Sequence, residues 1–255
     1  MYIFHKMSIF TFIEMKQLNF LEYLGTEEQN LLTGLMLLKG GFDLFLSLDY
    51  IYQEPLKRLV VSDKEDKIPF ELYRFIHFHL YFSMSCLLRY HISESLSSTR
   101  KAIDAALTAY KLILEPSTTE KYIKRDNYFK FIKSNMQNER KKDINKYPLA
   151  AALIALHDLC SEYGSHADIK SFSNRLEARK SPDTETGYLM FHYFEILNPV
   201  ENQRLYFQTL KIFYSIFKIF KSLFDRRLKI VDTDWEFTIK YFDNKVDESL
   251  NRLKA

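Results

Sequence analysis

The sequence predicts an all-α protein, and three observations predict it. Between Pro69 and Pro116 lie 46 residues with no glycine and no proline, so nothing there interrupts a helix. Inside that stretch Leu88, Ile92, Leu96, Thr99, Ile103, Leu107, Tyr110 and Leu114 step by 4, 4, 3, 4, 4, 3 and 4, the spacing of one apolar seam. Glycine and proline number only 6 each in 255 residues, against 22 phenylalanines and 17 tyrosines. So few breakers imply long elements and few tight turns, which suits helices far better than a many-stranded sandwich.

The elements follow from their caps. About seven helices are expected, over residues 8–24, 27–52, 70–114, 118–142, 148–163, 199–230 and 234–253. Thr26 with Gln29, Ser117 with Glu120, Asn198 with Glu201 and Thr233 with Glu236 have capping-box spacing, in which two side chains satisfy orphan donors of a first turn. Pro199 strengthens the third of these, and Pro148 starts the fifth helix, which Gly164 can stop. Gly40-Gly41 is expected to kink the second helix. The long central helix, 70–114, is expected to be continuous or to bend once, in the serine cluster His91–Ser98. From Asp168 to Leu197 the pattern changes: Phe172 to Arg179 alternates, Ser181-Pro182-Asp183 reads as a turn, and Tyr188 to Phe194 is aromatic. One short β-hairpin is expected there, inserted at 168–197.

Composition bounds the rest. With 47% hydrophobic residues the chain can bury a substantial core. The reading is a single helical domain over 1–255, with residues 1–14 disordered or preceding a native start at Met7 or Met15. Net charge is +3, from 36 basic and 33 acidic residues, which implies no strong electrostatic hold on nucleic acid. Cys86 and Cys160 both lie in apolar helical text, so a reducing, cytoplasmic setting is expected. No integral membrane segment is expected. Phe75 to Leu88 is too short, and charges interrupt both Leu31–Tyr52 and Leu205–Phe224.

Two constellations could carry chemistry. On the central helix Arg89, Ser93, Arg100 and Asp104 share a face, beside a small-residue face made by Ser95, Ser98, Ala102, Ala105, Ala106 and Ala109. Arg100 and Asp104 have the i,i+4 spacing of a buried or half-buried ion pair, while Arg89 and Arg100 are candidate anion binders. The second constellation surrounds His157-Asp158-Leu159-Cys160-Ser161-Glu162-Tyr163-Gly164-Ser165-His166. Asp104, His157, Ser161, Tyr163 and His166 are read as a structural polar cluster. His157, Cys160 and His166 could assemble a metal-dependent hydrolase, but no closed four-ligand spacing is present and no metal is assigned. Neither Ser161 nor Cys160 is accompanied by an oxyanion-hole motif that would make it a nucleophile. Gly40-Gly41 lacks the Gly-Lys-Ser/Thr of a phosphate loop and no dinucleotide fingerprint occurs, so no cofactor is expected.

The phrase Ser161-Glu162-Tyr163-Gly164-Ser165-His166, after a long helix carrying Arg89 and Glu94, resembles a pattern in helical proteins related to the HEPN superfamily. It also resembles bacterial proteins associated with abortive-infection systems. The resemblance covers about residues 70–170 and implies a helical bundle, frequent dimerisation and, in active members, metal-independent RNA cleavage by an Arg and a nearby His. Here Arg74-Phe75-Ile76-His77-Phe78-His79 matches the spacing and departs from it at Phe75, where a polar residue is expected.

The leading expectation is therefore a helical interaction module, in a defence or stress system, whose partner is a second copy or another protein. The alternative is a HEPN-like ribonuclease using Arg74 and His79 on an RNA substrate. Five residues on a helix turn through roughly 140°, so those two side chains do not share a face. That geometry weighs against catalysis.

Overall fold

The computed structural model describes residues 19–38, 40–58, 63–124, 132–164, 175–180, 187–195, 198–227 and 233–253. Among them are nine α-helices and one two-stranded sheet. The helices are α1 (Phe20–Leu37), α2 (Gly41–Arg58), α3 (Lys64–Leu88), α4 (Ile92–Leu114), α5 (Thr119–Ile123), α6 (Ile132–Lys142), α7 (Ala150–Gly164), α8 (Pro199–Arg227) and α9 (Thr233–Arg252). A 3-10 turn, Pro116–Thr118, joins α4 to α5. Strands β1 (Leu176–Lys180) and β2 (Gly187–Phe191) pair antiparallel, with Ala178 opposite Leu189, inside the segment expected to form a hairpin. The protein is predominantly helical. No single helix is long and apolar enough to cross a membrane; α1 and α2 reach that length and composition only together, across a 96° bend.

The expected central helix is two helices. Residues 70–114 divide at Arg89–His91, and α3 and α4 fold back on each other: Ser83 meets Ser95 and Thr99, and His79 meets Ser98. The turn is a Schellman motif, with the His91 amide donating to the Cys86 carbonyl (2.9 Å) and the Tyr90 amide to the Leu87 carbonyl (3.1 Å). Its left-handed position, normally glycine, is held by Tyr90 at φ 63°. The break is therefore invisible to a search for glycine and proline.

The α3–α4 contact is unusually polar for a core. Ser83 Oγ lies 2.8 Å from both Ser95 Oγ and Thr99 Oγ1, and His79 Nδ1 lies 2.8 Å from Ser98 Oγ, all of them buried. Small hydroxyl side chains let the helices approach and satisfy one another when they do, so a buried polar seam carries little penalty. Alanines 102, 105, 106 and 109 continue the small face in the core. Helix α7 packs on another side of α4.

Helices α2, α8 and α9 form the other half of the core around Tyr52, Phe213, Phe217 and Trp235. Here large aromatic rings fill space and their polar ends find helix carbonyls. Tyr52 Oη donates to the Phe213 carbonyl at 2.7 Å, and Tyr73 Oη to the Tyr52 carbonyl at 3.0 Å. Pro55 lies inside α2 and has no N–H to give the Ile51 carbonyl one turn back. Trp235 Nε1 donates to that carbonyl instead, at 3.1 Å.

Other boundaries move for local reasons. Helix α1 runs straight through Thr26, whose hydroxyl donates to the Glu22 carbonyl; the true box is Asn19 with Glu22. The chain breaks instead near Gly40, at φ 86°, and Gly41 beside it lies close to the Phe207 ring, where a Cβ would come within 2.9 Å of the ring tip and make it shift. The cap at Asn198 is as expected, its Oδ1 accepting from the Glu201 amide. The expected helix 118–142 is represented by α5 and α6. Residues 1–14, most of the expected helix 8–24, and His166 lie outside the described residues.

Candidate functional site

A cleft of about 520 Å³ opens where α3, α4, α5, α6 and α7 meet. Its apolar walls include Leu72 and Phe75 from α3, Leu107 from α4, Tyr122 from α5 and Ile132 from α6. Its polar wall is Arg100, Lys101 and Asp104 from α4, Lys133 from α6 and His157 from α7. Three cations line this wall with Asp104, and Asp158 behind it pairs with Lys133, so the balance of one positive charge rests on Arg100 and Lys101.

His157 organises the polar wall. Its side chain is 8% exposed, and each ring nitrogen faces one donor and one carboxylate. Nε2 lies 3.3 Å from Arg100 Nε and 3.0 Å from Asp104 Oδ1. Nδ1 lies 3.1 Å from Lys133 Nζ and 3.2 Å from Asp158 Oδ1. A neutral ring protonated at Nδ1 donates to Asp158 and accepts from Arg100. The opposite tautomer donates to Asp104 and accepts from Lys133, and the imidazolium donates to both carboxylates. Each neutral tautomer thus finds one donor and one acceptor, which fixes the ring at the centre of the polar wall. Lys133 also holds Asp158 at 2.6 Å and, with His157, keeps the Asp158 carboxyl below the usual range.

Arg100 spends Nε on His157, and its terminal nitrogens make no hydrogen bond among the described residues. Lys101, one residue on, has no ion-pair partner among them either. Two cations without an ion-pair partner among the described residues, beside an aromatic wall, are the feature of this cleft that asks for an anion.

The expected Arg100–Asp104 pair takes a different form: Asp104, its side chain 52% exposed, reaches His157, and so does Arg100. The imidazole from α7 comes between them. Of the expected structural cluster, Asp104 and His157 meet. Ser161 Oγ donates to the His157 carbonyl at 2.7 Å, a bond inside α7. Helix α7 extends through Tyr163, whose side-chain surroundings lie outside the described residues, as does His166. Burial pushes the Cys160 thiol up to about 11, which makes it a poor nucleophile.

Arg74 and His79 have separate surroundings. Arg74 is exposed, pairs with Glu71 at 3.0 Å and lies over the Phe70 ring. His79 is buried between Phe75 and Phe78, edge to face with both, and bonded to Ser98. Burial and the nearby Lys101 charge lower its pKa, so it is a neutral core histidine at physiological pH. Arg89 folds back onto the Ser85 carbonyl and hydroxyl and does not join Arg100. Sequence reasoning found Arg100, Asp104 and His157 and missed Lys101, Lys133, Phe75 and Tyr122. Lys133 follows the buried Ile132 on a helix otherwise rich in surface charge, and no spacing rule marks it.

No protein-family model matches the chain, and neither does any curated protein or any solved structure.

Proposed function

We propose that the protein is a helical binding module whose α3–α7 cleft takes a small molecule with an anionic group on an aromatic or apolar body. The observation that carries this reading is the Arg100 guanidinium, held through Nε by a nearly buried histidine while its terminal nitrogens make no hydrogen bond among the described residues, at the mouth of an aromatic-walled cleft. A fork of N–H donors in a fixed orientation suits phosphate or carboxylate, and Phe75 and Tyr122 suit a flat body.

The test is calorimetric titration with phenyl phosphate, beside benzyl alcohol and inorganic phosphate. Phenyl phosphate should bind more tightly than either, and Arg100→Gln should weaken it by about tenfold or more. Equal affinity in the variant, or no heat of binding at millimolar ligand, overturns the proposal.

A second reading, a metal-independent ribonuclease in a HEPN-like defence protein, is favoured by one observation: an arginine and a histidine touch in this cleft. The pair is Arg100 with His157. It would bind RNA phosphate through Arg100 and use His157 as acid or base. RNA incubated with the protein and a chelator should stay intact under the binding-module reading. Cleavage that disappears in His157→Ala establishes the ribonuclease instead. The exposed row Phe75, Phe78 and Phe82 on α3 supports self-association of such a module.

A further inference from the structure

A second polar cluster lies where the α3–α4 turn meets the segment after β2. One ring nitrogen of His91 and one carboxylate oxygen each from Glu94 and Glu195 lie within 4.8 Å of one another. Glu195 is the informative member, with a side chain only 1% exposed. Its Oε1 accepts from the Ser93 amide at 3.0 Å and from Arg175 Nη2 at 3.0 Å. Its Oε2 is buried and has no hydrogen-bond partner among the described residues. A carboxylate oxygen out of water and without a donor is costly, and its commonest remedies are a proton, a water or a cation.

The surroundings favour a cation. Glu27 adds a third carboxylate, its Oε1 2.7 Å from His91 Nε2, while Arg175 bridges Glu94 and Glu195 with a single positive charge. A ring proton on Nε2, donated to Glu27, leaves the lone pair on Nδ1. This is the carboxylate–histidine arrangement that fixes a metal-binding imidazole. Tyr23 and Phe194 cover the ring, so the site is sheltered on one side.

We propose that His91, Glu94 and Glu195 bind a divalent first-row transition ion, with Glu27 orienting the histidine and Arg175 filling the charge when the ion is absent. One imidazole and two carboxylates suit zinc or manganese and leave positions for water. Ligands about 2.0–2.2 Å from zinc sit roughly 3.4 Å apart, so the three atoms draw together by up to about 1.4 Å as Arg175 turns aside. The ion ties the α3–α4 turn to the strand-following segment, because its ligands come from both. This site is separate from the α3–α7 cleft and does not depend on how that cleft is used.

The experiment uses the full chain, stripped with a chelator and titrated with zinc chloride, with cobalt(II) absorption as a spectroscopic reporter. We expect one equivalent bound at micromolar or better affinity, and a rise in melting temperature that chelator reverses. Glu195→Gln keeps Oε1 to cap Ser93 and should still fold, yet lose about tenfold or more in affinity. His91→Ala should lose the cobalt spectrum, whereas Arg175→Gln, which removes the competing charge, should bind more tightly. His157→Ala should leave zinc affinity unchanged. Absence of binding at 100-fold excess over micromolar zinc (about 100 µM) overturns the proposal. So does loss in His157→Ala with retention in Glu195→Gln, which moves the zinc to the other histidine.

Discussion

Helix α4 with its C-cap carries the same pairing twice, and the two outcomes differ. Arg100 with Asp104, and Lys111 with Glu115, are each a cation followed four residues later by an acid. At the first, the pair faces an open cleft and a histidine comes between them. At the second, the pair closes at 2.7 Å, and the lysine is 1% exposed. Lys111 Nζ also bonds Tyr147 Oη at 2.6 Å and both oxygens of Glu139, at 3.0 and 3.1 Å. Tyr147 in turn donates to Glu115 or Glu139, and Lys146 reaches both acids from outside, at 3.0 and 2.7 Å. One site is saturated with partners and serves the fold. The other keeps donors in reserve, and that reserve is what makes it a candidate for binding.

The largest effect that tests this contrast is in the closed network. Lys111→Met removes its only buried cation and leaves two carboxylates and a phenol short of a partner. The cost should be about 3 kcal/mol in urea unfolding, because a half-emptied buried ionic network is worse than none. A loss under about 1 kcal/mol would show that water or Lys146 replaces the lysine, and the contrast would fail.

Acid sharpens it next. Burial alone would raise the Glu139 carboxyl, but hydrogen bonds from Lys146, Lys111 and Tyr147 outweigh it and bring the group down from 4.5 to about 2. A lowered carboxyl stabilises the fold fully above about pH 4.5 and loses that contribution as pH falls toward 2. Unfolding midpoints between pH 5 and 2.5 should therefore fall more steeply for the natural protein than for Glu139→Gln. The difference should be on the order of 1 kcal/mol, since the group keeps contact with water. Parallel slopes would detach Glu139 from the network.

The smallest effect belongs to the open site. Asp104→Asn should change stability by no more than about 0.5 kcal/mol, since Asp104 is half in water and its partner has other contacts. A cost comparable with Lys111→Met would make both pairs structural and remove the reason to look for a ligand here.

The contrast also shows how far residue order could be read. Period and composition reveal that the chain is helical, and the aromatic, alternating text after Asp168 marks the hairpin. Spacing picks out Arg100 with Asp104, yet Lys111 with Glu115 has the same spacing and holds the buried lysine. What decides between them is the arrival of Glu139 and Tyr147 from one part of the chain and of His157 from another, which no local pattern contains. The divided central helix is the other loss. Tyr90 does a glycine's work in the turn, at a steric cost of roughly 1–2 kcal/mol that tertiary contacts offset. Among them is the Glu195 amide, which donates to the Tyr90 carbonyl at 3.0 Å.

The tight α3–α4 reversal bears on the order in which the molecule assembles. The His79–Ser98 contact closes 19 residues of chain, whereas Tyr52 to Phe213 closes 161 and Trp235 to Ile51 closes 184. Loop-closure entropy rises with the logarithm of length, so the distant contacts start at a disadvantage of about 2 kcal/mol before any packing rewards them. The hydroxyl seam between α3 and α4 forms early on that account, and α8 and α9 dock later onto a template already made. Pulsed amide exchange during refolding should accordingly protect α3 and α4 before α8 and α9.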